Sequence, residues 1–124
     1  MEEIKNRTDF NLFIENNINS HIIIKVGASW CGPCKKMKPI FNKLFDKLVE
    51  DNKSNSIIYL EMDADKDKDC CTYLKVRGIP HIMYIKDGQL NQSMVGFDEN
   101  KLCKLFKYID NCIKSSVIQK NIYK

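Results

Sequence analysis

His21-Ile22-Ile23-Ile24-Lys25-Val26, a short bridge, and then Trp30-Cys31-Gly32-Pro33-Cys34 form the stretch from which the rest of the chain is read. After His21, the residues to Val26 are β-branched and apolar except for Lys25, without the alternation of a strand that faces water on one side. They predict a buried central strand. From Cys34 to about Glu50, residues Met37, Ile40, Phe41, Leu44, Phe45 and Leu48 recur at helical spacing. Lys35, Lys36, Lys43, Asp46 and Lys47 fall mostly off that stripe, so an amphipathic helix follows. A Cys-x-x-Cys is thus placed where a buried strand ends and a helix begins. Pro39 lies inside that helix, where a proline removes one backbone hydrogen bond and lets the first turn be aimed separately.

Working outward, Thr8 is the expected N-cap of a first helix carrying Phe10, Phe13, Ile14 and Ile18. Ser56 to Met62 is a second strand-like run, and the charged loop Asp63 to Asp69 leads into a short helix ending near Lys75. His81 to Ile85, the turn Asp87-Gly88, and Gln89 to Val95 form an antiparallel hairpin, closed by Gly96. In the last helix Leu102, Leu105, Phe106, Ile109 and Ile113 make the apolar stripe. The sum is an α/β fold with a central mixed sheet of about four strands flanked by helices. Residues 1–115 form the domain and 116–124 a C-terminal tail.

The bulk composition narrows the function. A chain of 124 residues, 44% hydrophobic and 29% charged, fits one soluble globular core. The net charge of +4 is spread along the chain and lacks the clustered basic face that nucleic acid requires. No apolar run approaches the roughly 20 residues of a membrane span, and the first twenty residues hold nothing like the apolar core of an export signal. The chain is therefore expected to begin near Met1 and to work in the cytoplasm, where thiols stay reduced. Six cysteines then point to catalysis or metal binding rather than to a secreted disulfide framework.

Two sulfurs at this spacing can close a small disulfide. A helix N-terminus carries partial positive charge and unpaired N–H groups, which favour thiolate over thiol at the first cysteine. Cys31, expected at the exposed edge, is the nucleophile on a substrate disulfide. Cys34 resolves the mixed disulfide by attacking Cys31. Zinc is the rival chemistry, but no second Cys-x-x-Cys or Cys/His pair at ligand spacing completes four ligands. No metal is expected.

Trp30-Cys31-Gly32-Pro33-Cys34-Lys35, with Pro39 in the following helix, resembles the active-site segment of the thioredoxins. Arg77-Gly78-Ile79-Pro80 resembles that family's segment before its cis-proline, Lys86-Asp87-Gly88 its hairpin turn, and Val95-Gly96 the close of its last strand. The resemblance covers roughly Phe10 to Ser115. It implies a thioredoxin-like fold, a cis-proline at Pro80 facing the cysteines, and a substrate surface formed by Trp30, Gly32, Pro33, Ile79, Pro80, Val95 and Gly96, extended by Phe97. The backbone of Ile79 is then free to pair with an extended substrate segment.

The same resemblance implies a protein-disulfide reductase, a thioredoxin-type electron carrier that serves cell redox homeostasis. It would be monomeric, bind no cofactor, and take electrons from NADPH through a separate thioredoxin reductase. Its partners are that reductase and disulfide-containing client proteins, with no nucleic acid and no membrane. Pro33 between the cysteines resembles the reductive branch, whereas histidine there would suggest an oxidase or isomerase. A thioredoxin-fold docking or adaptor module with incidental redox turnover is the alternative from another class.

One departure stands out. Thioredoxins usually carry a buried aspartate where this chain has Lys25, and Tyr59 falls where the family often has that aspartate's lysine partner. Either Lys25 stays charged beside Glu61 and favours thiolates, or burial makes it a neutral base. Of the remaining groups, Cys70 and Cys71 are expected to pack with Leu74, and Cys103 and Cys112 to be structural. His21 is expected at the surface or a strand end. His81, next to Pro80, is a strand residue facing substrate or solvent, with redox tuning as its sharper role.

Overall fold

In a computed structural model of the chain, residues 4–122 are described, with side chains described through residue 116. The order is α1 (Arg7–Asn16), β1 (His21–Gly27), α2 (Gly32–Asp51), β2 (Ile57–Asp63), α3 (Lys68–Tyr73), β3 (His81–Lys86), β4 (Gln89–Val95) and α4 (Glu99–Ile122). Four strands form one mixed sheet in the order β2-β1-β3-β4. β1 pairs parallel with β2 and antiparallel with β3, and β3 with β4 form the expected hairpin.

β1 is central and covered on both faces, which is why its sequence lacks alternation. Ile22, Ile24 and Val26 point into a core layer with Phe10, Met62, Cys70, Cys71, Met83 and Ile85, on the side of α1 and α3. Ile23 points the other way, into a layer with Met37, Phe41, Leu48, Ile82, Tyr84 and the α4 stripe Leu102, Leu105, Phe106, Ile109 and Ile113. Lys25 shares the face of Ile23 by strand alternation. β4 is one of the two edge strands, and its exposed Gln89, Asn91, Gln92 and Ser93 keep that edge polar.

Several boundaries differ from the sequence reading. Asn6, not Thr8, caps α1: its Oδ1 accepts from the Asp9 N–H at 2.9 Å, so the helix starts earlier. The backbone of α4 stays helical to Ile122, through most of the stretch 116–124 assigned to a tail, and that stretch contains neither Gly nor Pro to stop it. Residues 123–124 lie outside the described residues. The β3–β4 turn places Asp87 at φ 54° and Gly88 at φ 75°, the left-handed pair that joins two strands tightly.

His21 opens β1, as the strand-end expectation had it, but it is not at the surface. It is 7% exposed, and its Nδ1 shares a 2.7 Å hydrogen bond with the Tyr84 hydroxyl. The central position of β1 carries even its first residue inside the sheet.

Candidate active site

β1 ends at Gly27, the chain turns through Ala28, Ser29 and Trp30, and α2 opens at Gly32 with Pro33 in its first turn. Cys31 is the N-cap of α2, and its Sγ accepts the Cys34 backbone N–H at 3.2 Å. The helix N-terminus therefore aims its donor and its partial positive charge at Cys31, the cysteine that must ionise first. Cys31 and Cys34 form a disulfide with Cα atoms 5.3 Å apart. Cys34 Sγ lies against Gly27, where an added Cβ would stand 3.3 Å from the sulfur.

The exposed edge expected for Cys31 is corrected: the residue is 4% exposed, and Cys34 is the half-buried member. Capping is the reason, because the Cys31 side chain turns back over the first helical turn. Its role as first nucleophile rests on the N–H aimed at its sulfur, not on exposure.

The peptide bond Ile79–Pro80 is cis, as the resemblance implied. Pro80 and Cys34 line one cleft of about 500 Å³, which also includes Lys25, Lys35, Lys38, Glu61 and Asp67. The Pro80 carbonyl accepts from the Gly96 N–H at 2.8 Å, tying the proline to the end of β4. Among the described residues no backbone hydrogen bond engages Ile79. Gly78 makes room for the neighbouring strand end, since a Cβ there would meet Val95 Cγ1 at 2.9 Å.

Trp30, next to Cys31 in the chain, is 66% exposed, and Val95, at the end of β4, is 59% exposed, both large for apolar side chains. Gly32 and Pro33 are exposed, and Ile79 and Gly96 half-buried. Phe97 is half-buried as well and packs against the α2–α4 core layer. Sequence reasoning missed one member: the Trp30 Nε1–H donates to Asp65 Oδ2 at 2.7 Å. Asp65 stands in a charged loop 35 residues away, and no local signal links the two.

Lys25 is 7% exposed. Its Nζ lies 4.6 Å from the Phe41 ring centroid and 5.8 Å from that of Tyr59. Burial pushes its pKa down, Glu61 opposes that shift and Lys38 adds to it. Glu61 is its register partner on β2, yet no ion pair joins the two among the described residues. The paired alternative for Lys25 is thus not formed. Burial, helped by Glu61, raises the Tyr59 phenol.

His81 is 7% exposed and lies on the α1–α3 face of the sheet, so it faces neither substrate nor solvent. Among the described residues its Nδ1 has no hydrogen-bond partner, and burial lowers its pKa. Cys70 and Cys71 are buried with Leu74 as expected, and burial pushes the Cys71 thiol up to about 11. Such a thiol stays protonated and inert near neutrality. Cys112 packs against the core layer, whereas Cys103 is exposed at the α2–α4 groove and is not core packing. Among the described residues no group of three or more His, Cys, Asp or Glu side chains is placed to hold a metal ion.

The family profile named Thioredoxin matches residues 2–111. The chain belongs to the thioredoxin family. It is 28% identical to chicken (Gallus gallus) thioredoxin over 107 residues, covering 86% of this chain and 96% of that one. It is 33% identical to a Coprinus comatus thioredoxin over 102 residues, covering 82% and 91%. Among solved structures, Malassezia sympodialis thioredoxin superimposes with a TM-score of 0.71 at 25% identity, covering 86% and 90%. Oxidised mitochondrial thioredoxin 3 of Saccharomyces cerevisiae does so with a TM-score of 0.65 at 30% identity, covering 84% and 91%.

This thioredoxin-family chain is a thiol-disulfide oxidoreductase that reduces protein disulfides through Cys31 and Cys34. In the reduced protein, Cys31 thiolate attacks one sulfur of a client disulfide. A Cys31–client bond forms, the client S–S bond breaks, and the first client thiolate leaves and takes up a proton. Cys34 thiolate then attacks Cys31 Sγ, forming the Cys31–Cys34 bond and releasing the second client thiolate. Two electrons pass from the dithiol to the client.

Proposed function

We propose that this protein is the carrier of a reducing chain, in which NADPH feeds a separate thioredoxin reductase, the reductase restores the Cys31–Cys34 dithiol, and the dithiol reduces client proteins. The observation that carries the reading is the cap: Cys31 Sγ receives the Cys34 N–H at the start of α2, so one cysteine is primed as thiolate with its partner one turn behind. The cycle needs no bound cofactor, because the reductant arrives as a second dithiol protein.

Clients dock on Trp30, Gly32, Pro33, Ile79, Pro80, Val95 and Gly96, with Phe97 at the margin. The unengaged backbone of Ile79 supports this reading, since an extended client segment gains hydrogen bonds there while its disulfide reaches the pair. The apolar exposure of Trp30 and Val95 supplies contact area that does not depend on client sequence. Four free cysteines among the described residues suit a reducing compartment, and the cytoplasm is the proposed location. Docking without turnover, and oxidase or isomerase action, are not favoured by the family match and the Pro33-bearing motif.

The test is reduction of insulin disulfides, first with dithiothreitol and then with a thioredoxin reductase and NADPH, for wild type, Cys31→Ser and Cys34→Ser. Turnover in wild type and loss in both variants is expected. A wild type that is active with dithiothreitol but silent with reductase would overturn the NADPH route alone. A fluorescent fusion concentrated in an organelle would overturn the location.

A further inference from the structure

The cleft behind the cysteine pair holds a cation that the exchange steps above do not use. Lys25 is more than nine-tenths buried, and no hydrogen bond or ion pair engages its Nζ among the described residues. It lines the same cleft as Cys34. Strand alternation places Gly27 two residues beyond it on the same face, about 6.6 Å along the strand. Cys34 Sγ packs on that glycine, so the sulfur and the lysine are neighbours along one face of β1.

We propose that Lys25 is a positioning residue for the second step: its ammonium at the cleft wall favours the Cys34 thiolate and so speeds resolution of the mixed disulfide. This rests on the reductase reading. The other charged groups around the cleft do not cancel it. Glu61 on β2 is exposed and screened by water, whereas Lys25 is buried and screened far less. Asp63 accepts the Asp65 and Lys66 N–H groups, and Asp67 accepts the Asp63 N–H, so both carboxylates are already engaged. From α2, Lys35 and Lys38 are exposed and of the same sign as Lys25, and Tyr59 holds its phenol proton.

Two features keep the ammonium in so buried a place. The Phe41 and Tyr59 rings present their electron-rich faces to it, and the cleft admits water. Burial pulls its pKa below the ordinary lysine value, and a thiolate at Cys34 pulls it back, so the two ionisations reinforce each other. The chemistry balances without any further reagent. Cys34–SH gives its proton to water, the Cys34–Cys31 bond forms as the Cys31–client bond breaks, and the client thiolate recovers a proton. Lys25 alters only the rate and the pH at which this happens.

The experiment is stopped-flow reaction of the reduced protein with 5,5′-dithiobis(2-nitrobenzoate) from pH 5 to 9. The first nitrothiobenzoate released reports attack by Cys31, and the second reports attack by Cys34 on the mixed disulfide. In Lys25→Met the second phase is expected to shift up by about one pH unit, hence roughly tenfold slower at pH 7. Lys25→Arg should keep it within about twofold. A second phase in Lys25→Met that superimposes on wild type would overturn the proposal, as would equal loss in Lys25→Arg with an unchanged near-ultraviolet spectrum. Lys25→Gln gives the same comparison if methionine disturbs the fold. A wild type lacking the first phase would instead sink the reductase reading on which the proposal stands.

Discussion

The Trp30 indole N–H donates to Asp65 Oδ2 at 2.7 Å, fixing an otherwise exposed ring beside the redox pair from a loop 35 residues away. The bond turns an apolar surface residue into a pre-positioned contact, which lowers the ordering cost when a client docks. Asp65→Ala should raise KM for insulin about threefold and leave kcat within about twofold, since an exposed hydrogen bond contributes on the order of 1 kcal/mol. Trp30 is the only tryptophan, so its fluorescence anisotropy should fall in the same variant. Unchanged KM with lowered anisotropy would show that the ring need not be held for docking.

Gly27 sets the space available to the disulfide. In Gly27→Ala the new Cβ would stand 3.3 Å from Cys34 Sγ, closer than most such contacts. The oxidised sulfur is tethered to Cys31 and cannot turn away, whereas the reduced thiol can. The variant should therefore destabilise the oxidised form selectively and make the potential less negative by about 10–30 mV, read against a glutathione buffer. A potential unchanged or more negative would show that α2 yields instead.

His81 makes stability depend on pH. Burial lowers its folded-state pKa below the ordinary 6.5, so the unfolded chain binds the proton more readily. The contribution is fully present above pH 6.5 and is lost as pH falls from there through the folded pKa. The slope reaches at most about 1.4 kcal/mol per pH unit. Urea unfolding between pH 5 and 8 should show this decline in wild type and a flatter profile in His81→Leu. Parallel profiles would mean that other groups in the α1–α3 layer set the acid limit.

Tyr84 and His21 lock the far end of β1 to β3. Their 2.7 Å hydrogen bond is buried, and Tyr84 is 0% exposed. Tyr84→Phe keeps the packing and removes the hydroxyl, so it should cost about 1–2 kcal/mol of stability with insulin turnover intact. Denaturant melting measures the first and the insulin assay the second. A loss of turnover without a loss of stability would contradict a purely structural role.

The sequence carried most of the fold because the elements that matter have strong local signals. The unalternating run of β1, the 3.6-residue stripes of α2 and α4 and the Asp87-Gly88 turn each require one conformation in order to bury apolar area or turn the chain. The Cys-x-x-Cys pair and its place at a helix start were legible for the same reason, since motif chemistry depends on residues adjacent in sequence, whereas the place of Pro80 beside the pair came from the family resemblance alone.

What only the tertiary structure decided is every relation across distant segments, where no local pattern records the partner. The Asp65 hold on Trp30, the burial of His21 against Tyr84 and the turning of His81 away from the cysteines depend on which strands become neighbours. Cys31's low exposure goes with its cap geometry, in which its Sγ accepts the Cys34 N–H. Lys25 shows the division most clearly. Its sequence position announced a charge in a central strand, but only packing revealed that aromatic rings surround it, that Glu61 is not in ion-pair contact, and that it shares a cleft with Cys34. The energy of a buried charge is set by its three-dimensional surroundings, and those are assembled from three elements at once.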